Sequence, residues 1–191
     1  MKVKRRFPIF NSHLDLAHHY WNLIIQENDW AIDATCGNGH DTLFLAKICL
    51  GVIALDIQEN ALTATRALLF NENLEAKVHL FNQSHETFPI IAHQNPVRLI
   101  VYNLGYLPGG NKSLVTQVNS TLTSIKNGLN LLLPGGAISI TCYPGHPEGE
   151  REQEELLTFC KGLDPAQWNV CFHSWNNRNK SPSLLLIQKN T

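Results

Sequence analysis

The stretch that most constrains the fold is residues 30–41, Trp30-Ala31-Ile32-Asp33-Ala34-Thr35-Cys36-Gly37-Asn38-Gly39-His40-Asp41. It opens as a short apolar run ending in an acid. A turn with two glycines follows, and then residues 41–48 place Leu43, Phe44, Ala46 and Ile48 at helical spacing. Strand, glycine turn and helix make the first half of a nucleotide-binding βαβ unit. Glycine lets the backbone pass close to a ligand, and a helix N-terminus offers unbonded N–H groups beside it. The unit is expected to fix where the ligand sits, with the later strands supplying its other walls.

A dinucleotide site would carry G-x-G-x-x-G. Only Gly37 and Gly39 fit, and Thr42 stands where the third glycine belongs. An acid before the glycines, Asp33, suits a cationic ligand without phosphate. That is the pattern of S-adenosylmethionine (SAM), with its sulfonium and ammonium groups. Turns of this shape also occur with no ligand at all.

The rest of the chain extends the same pattern. Residues 51–56 read as a second strand ending in Asp56, where a carboxylate can accept bonds from ribose hydroxyls. Gln58 opens a helix to about residue 70, within reach of the adenosine. Residues 77–81 read as strand three, followed by Ser84 and His85, placed to flank an adenine or to cap a turn. Residues 97–102 form an apolar run typical of a buried parallel strand. A loop follows, Asn103-Leu104-Gly105-Tyr106-Leu107-Pro108-Gly109-Gly110-Asn111-Lys112. It resembles the Asn-Pro-Pro-Tyr loop of amine methylases. In that loop the Asn oxygen and a backbone carbonyl accept bonds from the target amine and the aromatic packs over it. Pro and Gly at these positions also suit a plain turn.

Before the first strand, Ser12 is a good N-cap for a helix to about residue 28, with Leu16, Tyr20, Leu23 and Ile24 in one stripe. His13, His18 and His19 on it read as surface or packing residues. After the Asn103 loop, a helix is expected over 114–132 and strand five over 137–142. The loop Tyr143-Pro144-Gly145-His146-Pro147-Glu148-Gly149 comes next, then an acid-rich helix over 150–161. Residues 168–174 and 184–188 read as a closing antiparallel pair. Between these lies a polar segment with Trp175, Arg178 and Lys180, a mixture that suits RNA contact as well as an ordinary hairpin loop.

Bulk properties narrow the class. With 191 residues, the chain is expected to form a single domain over 1–191, residues 1–28 being a basic segment plus helix. No apolar run approaches the roughly 20 residues of a membrane span. Residues 1–10 are basic without a following apolar stretch, which argues against a secretory signal. The cysteines number five, with no C-x-x-C pair. That favours reduced thiols in a cytoplasmic protein over disulfides or a zinc site, and no metal is expected. A net charge of −1 is no general nucleic-acid signature. Phosphate contacts would come from local residues such as Lys2, Lys4, Arg5 and Arg6, or from a homodimer joining two basic patches.

Taken in order, four motifs carry a resemblance over nearly the whole chain. They are residues 33–42, Asp56-Ile57-Gln58, residues 103–110 and residues 145–149. Together they resemble the family long labelled rRNA methylases, whose characterised members are MnmM-type tRNA methyltransferases. The resemblance implies a class I SAM-dependent, Rossmann-like α/β fold with a mostly parallel seven-stranded sheet. It implies N-methylation of 5-aminomethyl-(2-thio)uridine at the tRNA wobble position, with the anticodon stem-loop as partner. Carried over by position, Asn38, His40, Asp56, Gln58, Ser84 and His85 would contact SAM, in a site that also takes in Asp33, Gly37, Gly39, Asp41 and Asn103. Asn103, Tyr106 and His146 would serve the chemistry, His146 as the candidate general base. Leu104, Gly105, Gly145 and Arg178 would face the RNA. The chain departs from the family pattern at Asn111 and at Ser181-Pro182-Ser183. The rivals are an rRNA methyltransferase, a small-molecule amine methyltransferase and a non-catalytic nucleotide-binding module. An NAD-dependent oxidoreductase fits least, for want of the third glycine. Binding indifferent to RNA and salt would favour a small amine. Ligand binding with no methyl transfer would favour the module.

Overall fold

The structure is a computed structural model that describes residue 7, residues 9–105 and residues 117–191. The basic lead-in at residues 2–6 and the segment 106–116, with Tyr106, Asn111, Lys112 and the expected helix start, lie outside the described residues. In chain order the elements are α1 (His13–Ile24), β1 (Trp30–Asp33), α2 (His40–Ile48), β2 (Gly51–Asp56), α3 (Glu59–Asn71), β3 (Val78–Asn82), α4 (Ile90–His93), β4 (Val97–Asn103), α5 (Val118–Leu131), β5 (Ala137–Cys142), α6 (Pro147–Lys161), β6 (Trp168–His173) and β7 (Ser183–Lys189). One seven-stranded sheet runs β3-β2-β1-β4-β5-β7-β6. Pairing is parallel from β3 to β5, and β7 is antiparallel to both β5 and β6. This is the mostly parallel sheet expected of the class I fold.

The chain moves outward from β1 to β3 and then returns to place β4 on the other side of β1. The reversal opens a crevice at the carboxyl ends of β1 and β4, where ligands of doubly wound sheets bind. Side-chain alternation builds a core on each face. Ile32, Ile100, Tyr102, Ile138, Ile140 and Leu185 pack with Ile125 and Leu129 of α5 and Leu156 of α6. Ala31, Leu99, Val101, Leu184 and Leu186 pack with Leu16, Ala17 and Trp21 of α1 and Leu45 of α2. Full burial of one such aliphatic side chain stabilises the fold by about 1.5–3 kcal/mol. The one buried indole N–H in this second layer is satisfied, since Trp21 Nε1 donates to Ser139 Oγ at 2.9 Å.

Two helix boundaries differ from expectation, each for a local reason. α1 ends at Ile24 because the next residues form a turn, in which the Asp29 N–H donates to the Gln26 carbonyl and the Gln26 N–H to Asp29 Oδ2. α6 begins at Pro147 because His146 caps it and proline fits the first helical turn. At the start of α1, Ser12 and Asp15 form a full capping box, which fixes where the helix begins.

Candidate active site

The glycine turn works as its sequence demands. Gly37 and Gly39 adopt φ of +52° and +82°, a region L side chains seldom occupy. A Cβ on Gly39 would also lie 2.8 Å from Thr65, so the turn packs directly on α3. Thr65 Oγ1 donates to the Gly37 carbonyl at 3.1 Å and locks the turn.

Three carboxylates surround it. Asp33, at the tip of β1, is buried and accepts bonds from Thr42 Oγ1 at 2.6 Å and the Thr35 N–H at 3.3 Å. Burial, reinforced by the nearby Asp41 carboxylate, pushes its pKa up to about 7. Asp56, at the tip of β2, accepts the Gly37 N–H at 3.0 Å and the Gln58 N–H at 2.9 Å, one on each oxygen. Burial raises its pKa while these backbone bonds lower it. A carboxylate has about four acceptor sites, so Asp56 keeps room for a ligand hydroxyl.

Asp41 lies at the start of α2, with both oxygens occupied. His18 Nε2 meets Oδ1 at 2.8 Å and Asn103 Nδ2 donates to Oδ2. The His18 ring is stacked on Phe44 with centroids 3.9 Å apart. Asn103, at the tip of β4, is held at its backbone too, because its N–H donates to Thr35 Oγ1 at 2.7 Å. On the far side of its amide, Tyr143 Oη donates to Asn103 Oδ1 at 3.3 Å, and His13 Nε2 lies 3.2 Å from the Tyr143 hydroxyl. Burial lowers the His13 pKa, which favours the neutral ring, and pushes the Tyr143 hydroxyl up to about 12. The donors then run one way: His13 Nε2–H to Tyr143, Tyr143 O–H to Asn103 Oδ1, Asn103 Nδ2–H to Asp41. The chain leaves α1, crosses the tips of β5 and β4, and returns to α1 at His18.

This corrects the sequence reading of His13 and His18 as surface or packing residues. Both brace Asn103, His13 through Tyr143 and His18 through Asp41. Tyr143, Thr35 and Ile57 are further candidate site residues, the first two bonded to Asn103. Ile57 is 56% exposed at the tip of β2, an apolar surface beside Asp56. An apolar residue directly after a strand-end acid was the sequence signal for it.

The other expected positions are distributed as follows. Asn38 and the exposed His40 sit at the glycine turn and the first turn of α2, and Gln58 is the N-cap residue of α3. Ser84 Oγ accepts the Glu86 N–H at 3.2 Å and so closes a turn. His85 is buried edge-on to Tyr102, and its Nδ1 has no partner among the described residues. Leu104 is buried and its N–H donates to the Thr141 carbonyl at 3.0 Å, while Gly105 has φ of +126°. His146 Nδ1 accepts the Gly149 N–H at 3.1 Å as the cap of α6. That lone pair is committed, so Nδ1 is no free base. Gly145 is exposed in the same loop, and Arg178 lies in the β6–β7 hairpin with its guanidinium 4.2 Å from the Trp175 ring centroid.

The residues fit SAM better than a dinucleotide. The Asp41 and Asp56 carboxylates beside the turn would repel a pyrophosphate, and a bound cation would favour ionised Asp33 as well. Asp56 keeps acceptor capacity for ribose hydroxyls, and His85 Nδ1 is a buried polar atom with no partner among the described residues. Such a sheet and such a strand-tip cluster define a class I SAM-dependent methyltransferase.

Comparison with known proteins narrows the class. The family model described as "Putative rRNA methylase" matches residues 52–189. An Arabidopsis thaliana relative, described as "tRNA (mnm(5)s(2)U34)-methyltransferase, chloroplastic", is 41% identical, over 92% of this chain and 68% of its own length. A Clostridium thermocellum protein solved under the rRNA-methylase description superposes with a TM-score of 0.89 at 34% identity, covering 94% of this chain and 98% of that one. A Streptococcus mutans protein of methyltransferase type, solved in complex with SAH, gives 0.85 at 37% identity, covering 94% and 99%. The chain belongs to this rRNA-methylase family.

Proposed function

We propose that the protein is a SAM-dependent N-methyltransferase that converts the 5-aminomethyl group of the tRNA wobble (2-thio)uridine to 5-methylaminomethyl. The name of the Arabidopsis relative supports the substrate. The observation that carries the chemistry is the Asn103 amide, whose Nδ2 is tied to Asp41. Its orientation is thereby fixed, with Oδ1 facing the other way as an acceptor. Tyr143 occupies one lone pair of Oδ1, and the second remains for an incoming N–H. An amide oxygen can orient an amine but cannot deprotonate a hydroxyl or a ring carbon. It suits a nucleophile that already owns its lone pair.

Asp56 would hold the ribose hydroxyls, Gln58 and Ile57 the adenosine, and His85 the adenine edge. The glycine turn, with Asp33 beneath it, would receive the cationic end. Bound SAM would supply an electrophilic methyl group on a positively charged sulfur. The chain's own contribution is orientation, which can be worth roughly 7–11 kcal/mol of a barrier. Asn103 Oδ1 and the Leu104 carbonyl would each accept an N–H of the amine and direct its lone pair across the crevice. Burial disfavours the ammonium form, so a closed pocket favours the neutral amine. The wobble base must leave its stack to enter, and single-stranded loops are the usual targets of specific RNA recognition. The five unpaired cysteines support a reducing, cytoplasmic setting.

The test is methyl transfer from labelled SAM to tRNA bearing 5-aminomethyluridine, compared with the same tRNA bearing unmodified wobble uridine. Label on the first alone is expected. Equal label on both would point to another position, and transfer to free amines without tRNA would point to a small-molecule enzyme.

A further inference from the structure

Beside the Asn103 cluster a groove of about 440 Å³ opens between α1 and the β6–β7 hairpin, lined by Phe10, His13, Tyr20, His173 and Trp175 among others. We propose that this groove is a stacking subsite for an unpaired nucleobase adjacent to the methylated nucleoside. The proposal rests on the RNA reading above and extends it to a second base.

Topology puts the groove on the correct edge. β6 runs in the same direction as β5, so His173 and the hairpin after it lie at the carboxyl edge that also carries Tyr143. The registers Cys142↔Ser183 and His173↔Leu184 place these strand ends side by side. The groove is continuous with the site, because His13 lines it and also bonds Tyr143, which bonds Asn103. One hydrogen-bonded tyrosine therefore separates the groove wall from the amide that would hold the amine. A nucleotide flipped onto Asn103 carries its neighbours to this place.

The lining matches a base. Tyr20 and His173 are in ring contact at 5.3 Å, and Trp175 is half-buried. Aromatic and imidazole rings stack on any base, and their polar edges accept and donate. Arg178 lies against Trp175 and 5.9 Å from the Phe7 ring centroid, so its guanidinium is held on the rim. A planar cation held on aromatic rings suits a phosphate. The neighbouring Lys180 is paired with Glu150 at 3.1 Å and is less available. Phe172 at 39% exposure lines this face and Phe7 at 47% lies against Arg178, which makes a second copy of the chain the competing occupant.

The test is equilibrium binding of a labelled anticodon stem-loop to the wild type, Trp175→Ala, Tyr20→Ala and Trp175→Phe. It is repeated with loops made abasic on either side of the wobble position. Stacking of one base is worth ~1–3 kcal/mol, so each alanine variant should weaken binding by about 5–150-fold, and Trp175→Phe much less. One abasic loop should lose a similar factor, and Trp175→Ala should then cost nothing further. SAM affinity by calorimetry should stay unchanged in every variant, and Tyr20→Ala decides the matter if Trp175→Ala does not fold. Unchanged loop binding, or losses that simply multiply in the abasic loops, would overturn the subsite. A changed sedimentation coefficient with unchanged loop binding would assign the groove to a second copy and overturn it equally. Methyl transfer is assayed separately on the 5-aminomethyluridine loop. Absent transfer with intact base-dependent binding would refute the substrate reading and leave the subsite standing.

Discussion

Asp41 and His18 hold Asn103 without facing the amine themselves. Asp41→Asn removes the charge that holds the amide and offers an NH2 group that can oppose Asn103 Nδ2. The expected result is a fall in kcat of about 10²-fold, since misplacing a reacting group by ~1 Å costs that much. His18→Ala should cost less, because Asp41 keeps its bond to Asn103. In both variants the KM for SAM should move far less than kcat; steady-state kinetics with saturating tRNA would show the split. Asp33 gives a separate prediction. Its folded pKa, about 7, lies above its ordinary value of 3.8. The native state thus holds a proton in this window that the unfolded chain has lost. That contribution to stability is full below about pH 4 and disappears as pH rises through about 7. Asp33→Asn should remove this decline. Urea midpoints at pH 5, 6, 7 and 8 would reveal it as a difference between wild type and variant that changes with pH.

At the scale of elements, α1 is both a wall of the core and the carrier of His13 and His18. Loss of its cap, as in Ser12→Ala, should cost about 1 kcal/mol and lower Tm by about 2–4 °C. It should also lower kcat, because the first turn carries His13. A drop in Tm with kcat intact would separate α1 from the site. The same helix shows where sequence reading runs out. The βαβ start, the acids at the tips of β1 and β2, and Asn103 at the tip of β4 are legible, because each follows from a local pattern of apolar run and turn. His13 and Tyr143 are 130 positions apart, and His18 and Asp41 are 23 apart. No periodicity links them, and only the packing of α1 across β4, β5 and β7 brings them together. The His146 cap was hidden for another reason, since histidine is not among the usual N-cap residues.

For the whole molecule, seven strands and a closing antiparallel pair were readable from alternating strand and helix patterns. The order β3-β2-β1-β4-β5-β7-β6, with the last strand inserted beside β5, was not, because no local pattern encodes which strands lie side by side. The second, aromatic groove was not readable either, because its walls come from α1 and from the far end of the chain. With a net charge of −1, the proposed tRNA binding would rely on local cations such as Arg178. The affinity should fall only moderately with salt, and Arg178→Ala should reduce the slope of log K against log[salt] by about one. A slope unchanged by that substitution would remove Arg178 from the interface.

The measurement that bears most directly on the account is nucleoside mass spectrometry of tRNA carrying 5-aminomethyluridine after incubation with SAM and either the wild type or Asn103→Ala. SAM affinity would be measured on the same preparations. The account predicts one added methyl on that nucleoside with the wild type. With the variant it predicts formation slowed by about 10²-fold and SAM binding nearly unchanged. Full activity in Asn103→Ala, or a methyl found on a different nucleoside, would contradict it.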